Sequence, residues 1–177
     1  KRPQQETVGL EPVEVAHLLA VGQIVAGGLR EGVPDLVAPG RSCFVERVVE
    51  TAVAIAQLWE RNLLTLDDPV GLHIPEFNSN GKEAITIRHI LTHTGGFRSA
   101  DMLTLSDDWD TAIQQICGAK LERNWVPGQT AGYHTGASWC ILGELVRRLD
   151  GRPIDRYLRE AIFEPLGMND VWMGMPG

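Results

Sequence analysis

One serine and lysine pair has the spacing of a nucleophile and its base. Ser79 and Lys82 are three residues apart, and no other serine has a lysine at this spacing. On a helix, a lysine at this position faces the serine and can help to remove its proton. The pair lies in FNSNGKE, however, whose composition is typical of a turn, and Gly81 disfavours a helix there. A turn would not hold the lysine over the serine, so we favour a structural role.

Two histidines are spaced to share one face of a predicted helix. His89 and His93 are four residues apart in ITIRHILTH, and such a pair can bind a metal ion. The zinc-peptidase motif also needs a glutamate after the first histidine, and Ile90 stands there instead. We therefore favour hydrogen-bonded structural histidines and expect no metal and no other cofactor.

Two further sets of residues could have a chemical role, but the sequence supports it only weakly in each case. GASWC, residues 136 to 140, is similar to a nucleophile elbow, but Cys140 replaces the last glycine and no strand is predicted before it. The three cysteines, Cys43, Cys117 and Cys140, lie in apolar stretches without zinc-site spacing. We expect them to be buried, reduced thiols.

The elements that must position these residues are almost all helical. Apolar residues at helical spacing, with glycines and prolines between the segments, predict about six helices. The predicted helices cover residues 12–26, 43–63, 85–93, 107–118, 135–149 and 153–167. Strand signal is weak throughout, apart from one short candidate at 35–38. The expected fold class is mainly α, and any substantial sheet would have to come from residues 20–42.

Composition and charge narrow the class of protein. The chain has 177 residues, is 44% hydrophobic and carries a net charge of -7, which argues against a nucleic-acid partner. Its longest apolar run is far shorter than the ~20 residues that a membrane span needs. The first residues lack the apolar core of a signal peptide, although a removed one stays open. We expect a soluble protein, with the cytoplasm slightly favoured over secretion.

Three long segments carry a family resemblance. They are LTLDDPVGLHIPEF, GKEAITIRHILTHTGGF and the stretch from WVPGQTAGYHTGASWC to EAIFEPLGM, in this order. Together they resemble the serine β-lactamase and penicillin-binding-protein superfamily, and more closely its class C β-lactamase-like branch of esterases, D-aminopeptidases and acyltransferases. The resemblance runs from about residue 51 to about residue 174. It implies the helical subdomain of the β-lactamase/transpeptidase-like fold over residues 43–177, with the sheet largely missing and residues 1–42 a poorly matched N-terminal helix and loop.

The resemblance also implies the site residues. Family enzymes use a Ser-x-x-Lys motif at the start of a buried helix, a Tyr-x-Asn motif, and a third motif on a downstream strand. Tyr133 occupies the second-motif position, as base or proton relay, and Thr135 stands where the asparagine would line the site. The missing asparagine weakens a β-lactam or peptide substrate and fits an ester better. A loop tyrosine whose hydroxyl only bonds the backbone is the alternative.

The nucleophile is where the resemblance fails. Alignment of TAVAIAQLWERNLLTLDDPV places Val45 at the serine and Val48 at the lysine. Valine has no proton to lose and no lone pair, so it cannot attack a carbonyl. Ser42 or Cys43 could reach the site after a register slip, but neither has a lysine three residues later. Two His-Thr-Gly triplets, at 93–95 and 134–136, imitate the third motif without a predicted strand.

Two functions therefore stay open. The first is a member or fragment of the β-lactamase-related serine hydrolases, acting on an ester, amide or β-lactam and inactive as this chain alone. The second is a non-catalytic binding or scaffold protein that kept the helical core. The missing sheet would leave an apolar face uncovered, which predicts self-association or a partner chain. Sequence divergence or error between residues 28 and 50 would also explain the two valines.

Overall fold

The computed structural model describes residues 47–100, 108–134 and 136–171. The predicted helix at 12–26 and the predicted strand at 35–38 lie outside these residues, as do Ser42, Cys43, Val45 and Thr135. The backbone of Val48 lies in the first helix described below.

The described chain is mainly α-helical, as predicted. Six helices follow one another: α1 Arg47–Glu60, α2 Val70–His73, α3 Ile87–Leu91, α4 Trp109–Gly118, α5 Ala137–Asp150 and α6 Ile154–Leu158. A 3-10 turn, Pro75–Phe77, follows α2, and a π-helical turn, Arg159–Phe163, continues α6. The described residues form no β-strand, and their only β-type pairing is one isolated antiparallel bridge between Pro69 and Thr86.

Helix α5 is the centre of the core. It contacts α1, α3, α4 and α6. Nine of its residues, 137–139 and 141–146, are buried, and Cys140 between them is half-buried. A helix that is buried almost all round is surrounded by other elements rather than lying on the surface. Tyr133 lies in the loop before this helix, so the position of α5 in the core limits where that loop can lie.

Helix α1 is held by polar contacts as well as by its apolar face. Ile55 and Leu58 are buried in the core. The Tyr157 hydroxyl donates to Gln57 Oε1 at 3.0 Å, and Arg61 Nη1 lies 3.1 Å from Asp150 Oδ2. These contacts join the second half of α1 to α6 and to the end of α5. The sequence predicts one helix over residues 43–63, and the structure has a helix over Arg47–Glu60.

The predicted helix at 85–93 is shorter in the structure. It begins after Thr86, whose hydroxyl accepts from the backbone N–H of His89, and it ends at Leu91 with Thr92 as its C-cap. His93 follows in the left-handed region, with φ +57°. His89 and His93 therefore do not share a helix face, and that prediction was wrong because Thr92, not the glycines after it, ends the helix.

A buried carboxylate joins α4 to α5. Glu144 is fully buried and accepts a hydrogen bond from Trp109 Nε1 at 2.8 Å. Its other donors are Arg147 Nε and Arg148 Nε, each at 2.7 Å. Arg147 also reaches Asp110 on α4, with Nη2 2.7 Å from Oδ1. Every oxygen of the buried carboxylate is paired, which is the condition for keeping a charge inside a protein.

Candidate functional site

Tyr133 lies in the loop directly before α5 and points towards solvent. The residue is 60% exposed, and no hydrogen bond joins its hydroxyl to another described residue. Gly136 is the N-cap of α5 and provides no side chain to cap the helix. The tyrosine is therefore largely exposed in the loop that leads into a long helix.

Two loops support this tyrosine, and we call them together the tyrosine platform: residues 93–98 and residues 122–134. Backbone hydrogen bonds join them along their length. The Gly132 N–H donates to the His93 carbonyl at 3.0 Å, and the Glu122 N–H donates to the Gly96 carbonyl at 2.8 Å. The Trp125 indole adds a third link, donating from Nε1 to the Thr94 carbonyl at 3.0 Å. The loop that carries Tyr133 is thus fixed to the HTGGF loop rather than free.

The ring of Trp125 packs directly against the backbone of Gly96. A Cβ atom built on Gly96 would lie 2.2 Å from Trp125 Cδ1, so a side chain there cannot fit without moving the ring. The ring is also held by Arg98, whose guanidinium carbon lies over it, 4.9 Å from the ring centroid. Arg98 in turn pairs with Glu122, with Nη2 2.6 Å from Oε2. Gly96 therefore allows the close approach that closes the platform.

The histidines that begin the two His-Thr-Gly triplets, His93 and His134, meet in this platform. The ring of His93 lies 4.8 Å from that of Tyr133 and 6.1 Å from that of His134, between centroids. His134 is fully buried, and its Nε2 accepts from the Phe97 N–H at 3.3 Å. Sequence reasoning noted both triplets but missed their contact. The repeated tripeptide was the one signal that could have drawn attention to these two histidines.

The literal Ser79 and Lys82 pair has a structural role. Lys82 is fully buried, and its ammonium donates to the carbonyls of Ser79, Cys117 and Ala119, not to the Ser79 hydroxyl. The carbonyls of Cys117 and Ala119 lie at the C-terminal end of α4, where a positive charge is favoured by the helix dipole. Burial lowers the pKa of Lys82. This lysine caps α4, and the turn geometry expected from the sequence is confirmed.

The contacts or burial of the remaining candidate site residues also indicate structural roles. His89 Nδ1 accepts from the Thr86 N–H at 3.2 Å, and burial lowers the pKa of this histidine, which favours its neutral form. Ser138 is fully buried in the first turn of α5, so it is not an exposed elbow nucleophile. Burial raises the pKa of Cys117 to about 11. Cys140 is only half-buried, so the prediction of a buried thiol there was wrong. Across the described ranges no three His, Cys, Asp or Glu residues are grouped so that they could hold a metal ion.

These features define the helical region of a β-lactamase/transpeptidase-like protein, with its loop tyrosine exposed at the start of α5. A family model described as Beta-lactamase matches residues 49–177. The chain is 29% identical to the esterase/beta-lactamase LipL of Mycobacterium tuberculosis, over 71% of this chain and 29% of that protein. It is 32% identical to the esterase EstB of Burkholderia gladioli, over 67% of this chain and 34% of that protein.

A solved structure agrees with these relationships. A penicillin-binding protein homologue from Caulobacter crescentus superposes with a TM-score of 0.65 at 25% identity, over 97% of this chain and 53% of that one. The chain belongs to the Beta-lactamase family. It spans about a third of the length of the two curated relatives above. No helix within 47–100, 108–134 or 136–171 is long and apolar enough to cross a membrane.

Proposed function

We propose that this chain forms the helical part of an acyl-transfer site of the serine-hydrolase kind, and that it turns over little substrate by itself. In this proposal Tyr133 is the base or proton relay, and Thr135 lines the site. The substrate class is an ester, an amide or a β-lactam, with an ester favoured because Thr135 replaces the family's asparagine. The observation that carries the proposal is the exposed Tyr133, held on a hydrogen-bonded platform in the loop that leads into α5.

The missing step in this chain is the attack on the carbonyl. A positioned base contributes by accepting the nucleophile's proton and returning it to the leaving group. Val45 and Val48, the aligned positions, offer neither an oxygen nor an amine. The family match begins at residue 49 and so does not include these two positions. A base without a nucleophile is expected to give no acyl-enzyme.

Turnover assays with nitrocefin and p-nitrophenyl acetate test this proposal. We expect rates equal to those in buffer, no change on Tyr133→Phe, and an intact mass of 19.5 kDa without an acyl adduct after long incubation. The esterase EstB is the positive control for the ester assay. Robust turnover that is lost in Tyr133→Phe would show that a nucleophile exists elsewhere in the chain and would overturn the proposed inactivity.

A non-catalytic binding role is the second candidate, and the outer face of α1 favours it. Ala52 and Ala56 are half-buried and Val53 is 41% exposed, one turn or less apart on the same side of the helix. The outward face of a surface helix is normally polar, so this apolar stripe fits contact with another chain. We propose a second copy of this chain as the partner.

Analytical ultracentrifugation measures this association directly. We expect a concentration-dependent rise in mass above 19.5 kDa at micromolar protein, and we expect Val53→Lys to reduce it. Leu72→Lys, at an exposed apolar position in α2, is the matched control and should leave the association unchanged. A monomer at all concentrations would contradict self-association and leave the acyl-transfer proposal unaffected.

A further inference from the structure

We infer that His93 is a positioning residue for Tyr133. The importance of His93 for acyl transfer rests on the proposed role of Tyr133 as base. Its effect on the position of the tyrosine does not depend on that role. The inference comes from the contacts of His93 on both sides of the tyrosine, from its backbone conformation and from the ring that supports it.

His93 contacts the tyrosine loop at three successive residues. Its carbonyl accepts from the N–H of Gly132 at 3.0 Å, directly before the tyrosine. Its ring lies against the phenol ring of Tyr133, with centroids 4.8 Å apart and planes inclined by 47°. Its Nδ1 accepts from the N–H of His134 at 3.4 Å, directly after the tyrosine. One residue therefore fixes the backbone on both sides of Tyr133 and limits the motion of its exposed ring.

The backbone of His93 has a conformation that few residues with a side chain adopt. With φ +57°, the residue lies in the left-handed region, which glycine and asparagine adopt more readily. Non-glycine residues in this conformation are held there by surrounding structure and are often found at functional sites. A glycine at this position would relieve the backbone but would remove both the ring contact and the Nδ1 acceptor.

The ring of His93 is itself supported from α5. Trp139 lies in the first turn of that helix, and its ring meets the His93 ring edge to face, with centroids 5.9 Å apart. His93 thus lies between an exposed tyrosine and a buried tryptophan of the central helix. Because Nδ1 accepts a hydrogen bond, the proton of the neutral imidazole is on Nε2. A base must be held within about 0.5 Å of its working geometry, and this chain of contacts is suited to do so.

Fluorine NMR of the full chain labelled with 3-fluorotyrosine tests the inference. The chain has two tyrosines, so Tyr133→Phe assigns both resonances, and the buried Tyr157 is an internal reference. In His93→Asn, which keeps an acceptor and tolerates the backbone conformation, we expect the Tyr133 resonance to move towards its denatured-state position and to sharpen. In His93→Phe, which keeps a ring, we expect a resonance closer to that of the wild type.

The control variant is His73→Asn, because His73 contacts Asp68 and not the tyrosine platform. It should leave the Tyr133 resonance in place, and circular dichroism should show that all three variants are folded. An unchanged Tyr133 resonance in a folded His93→Asn protein would overturn the inference. Loss of the Tyr133 contact in His93→Asn would confirm the positioning role whatever the turnover assays show, because that role does not depend on Tyr133 acting as a base.

Discussion

Replacing Gly96 with alanine is expected to lower the free energy of unfolding by about 3 kcal/mol. The new Cβ would lie 2.2 Å from Trp125 Cδ1, and the ring cannot simply turn away, because Thr94 and Arg98 hold it. Overpacking of this kind costs about 1–3 kcal/mol. The backbone of Gly96, at φ +80°, adds a further strain of order 1 kcal/mol for a residue with a side chain.

Urea denaturation followed by circular dichroism measures this loss. Gly118→Ala is the matched control: Gly118 is the last residue of α4, and a Cβ there would meet nothing within 4 Å. Alanine in a helix is favoured over glycine by roughly 0.5–1 kcal/mol, so this variant should be as stable as the wild type or more stable. Equal unfolding midpoints for Gly96→Ala and the wild type would show that Trp125 moves freely and that the platform is not closely packed.

Replacing Glu144 with alanine is expected to lower the free energy of unfolding by about 2–3 kcal/mol at neutral pH, because hydrogen bonds to a charged group contribute roughly 1.5–3 kcal/mol. The change removes the acceptor that Arg147 and Arg148 share, although both guanidinium groups are partly exposed and keep Asp110 and Glu76 as partners. The Trp109 indole would also lose its acceptor. Alanine itself is a good helix former, so the loss would not come from helix propensity.

The same carboxylate predicts how stability changes with pH. Burial raises the pKa of Glu144, but the hydrogen bonds from Arg147, Trp109 and Arg148 outweigh it and hold that pKa below its usual value. A depressed folded-state pKa gives stability that is present above the usual glutamate pKa and is lost as the pH falls through the folded value.

Urea denaturation at pH 7 and near pH 3 measures both effects. Glu144→Ala should lose less stability on acidification than the wild type, since it lacks the group that titrates. Glu60→Ala removes an exposed carboxylate in α1 and should change the unfolding midpoint little at either pH. A Glu144→Ala protein as stable as the wild type at neutral pH would contradict the structural role of the network.

The long helices could be predicted from the sequence, whereas the short elements and the buried charges could not. Helices α1, α4 and α5 each span at least ten residues, which is long enough for apolar periodicity to show. Helix α2, with four residues, and the 3-10 turn after it are too short for any period, so the sequence predicts no helix there. Glu144 and Lys82 are charged residues that normally lie at the surface, and only their tertiary partners explain their burial.

The candidate site was predicted only in part. Tyr133 could be placed by family resemblance alone, because one tyrosine in a loop has no periodic or compositional signal. Its contact with His93 depends on how two loops pack, and the hydrogen bond from His134 to His93 crosses 41 residues of sequence. The prediction for Thr135 as a site residue remains a prediction, and so does the alignment of Val45 and Val48 with the catalytic serine and lysine.

The polar contacts of α1 also determine when this helix can become stable during synthesis. Its partners come late in the chain: Tyr157 is 100 residues from Gln57, and Asp150 is 89 residues from Arg61. At a translation rate of about 5–20 residues per second, α1 leaves the ribosome roughly 5–20 s before the residues that cover it. During that interval its apolar face, including Ile55 and Leu58, is open to chaperones and to other nascent chains. A slowed ribosome between residues 60 and 150 would lengthen this exposure, so the yield of folded protein should depend on codon choice in that interval.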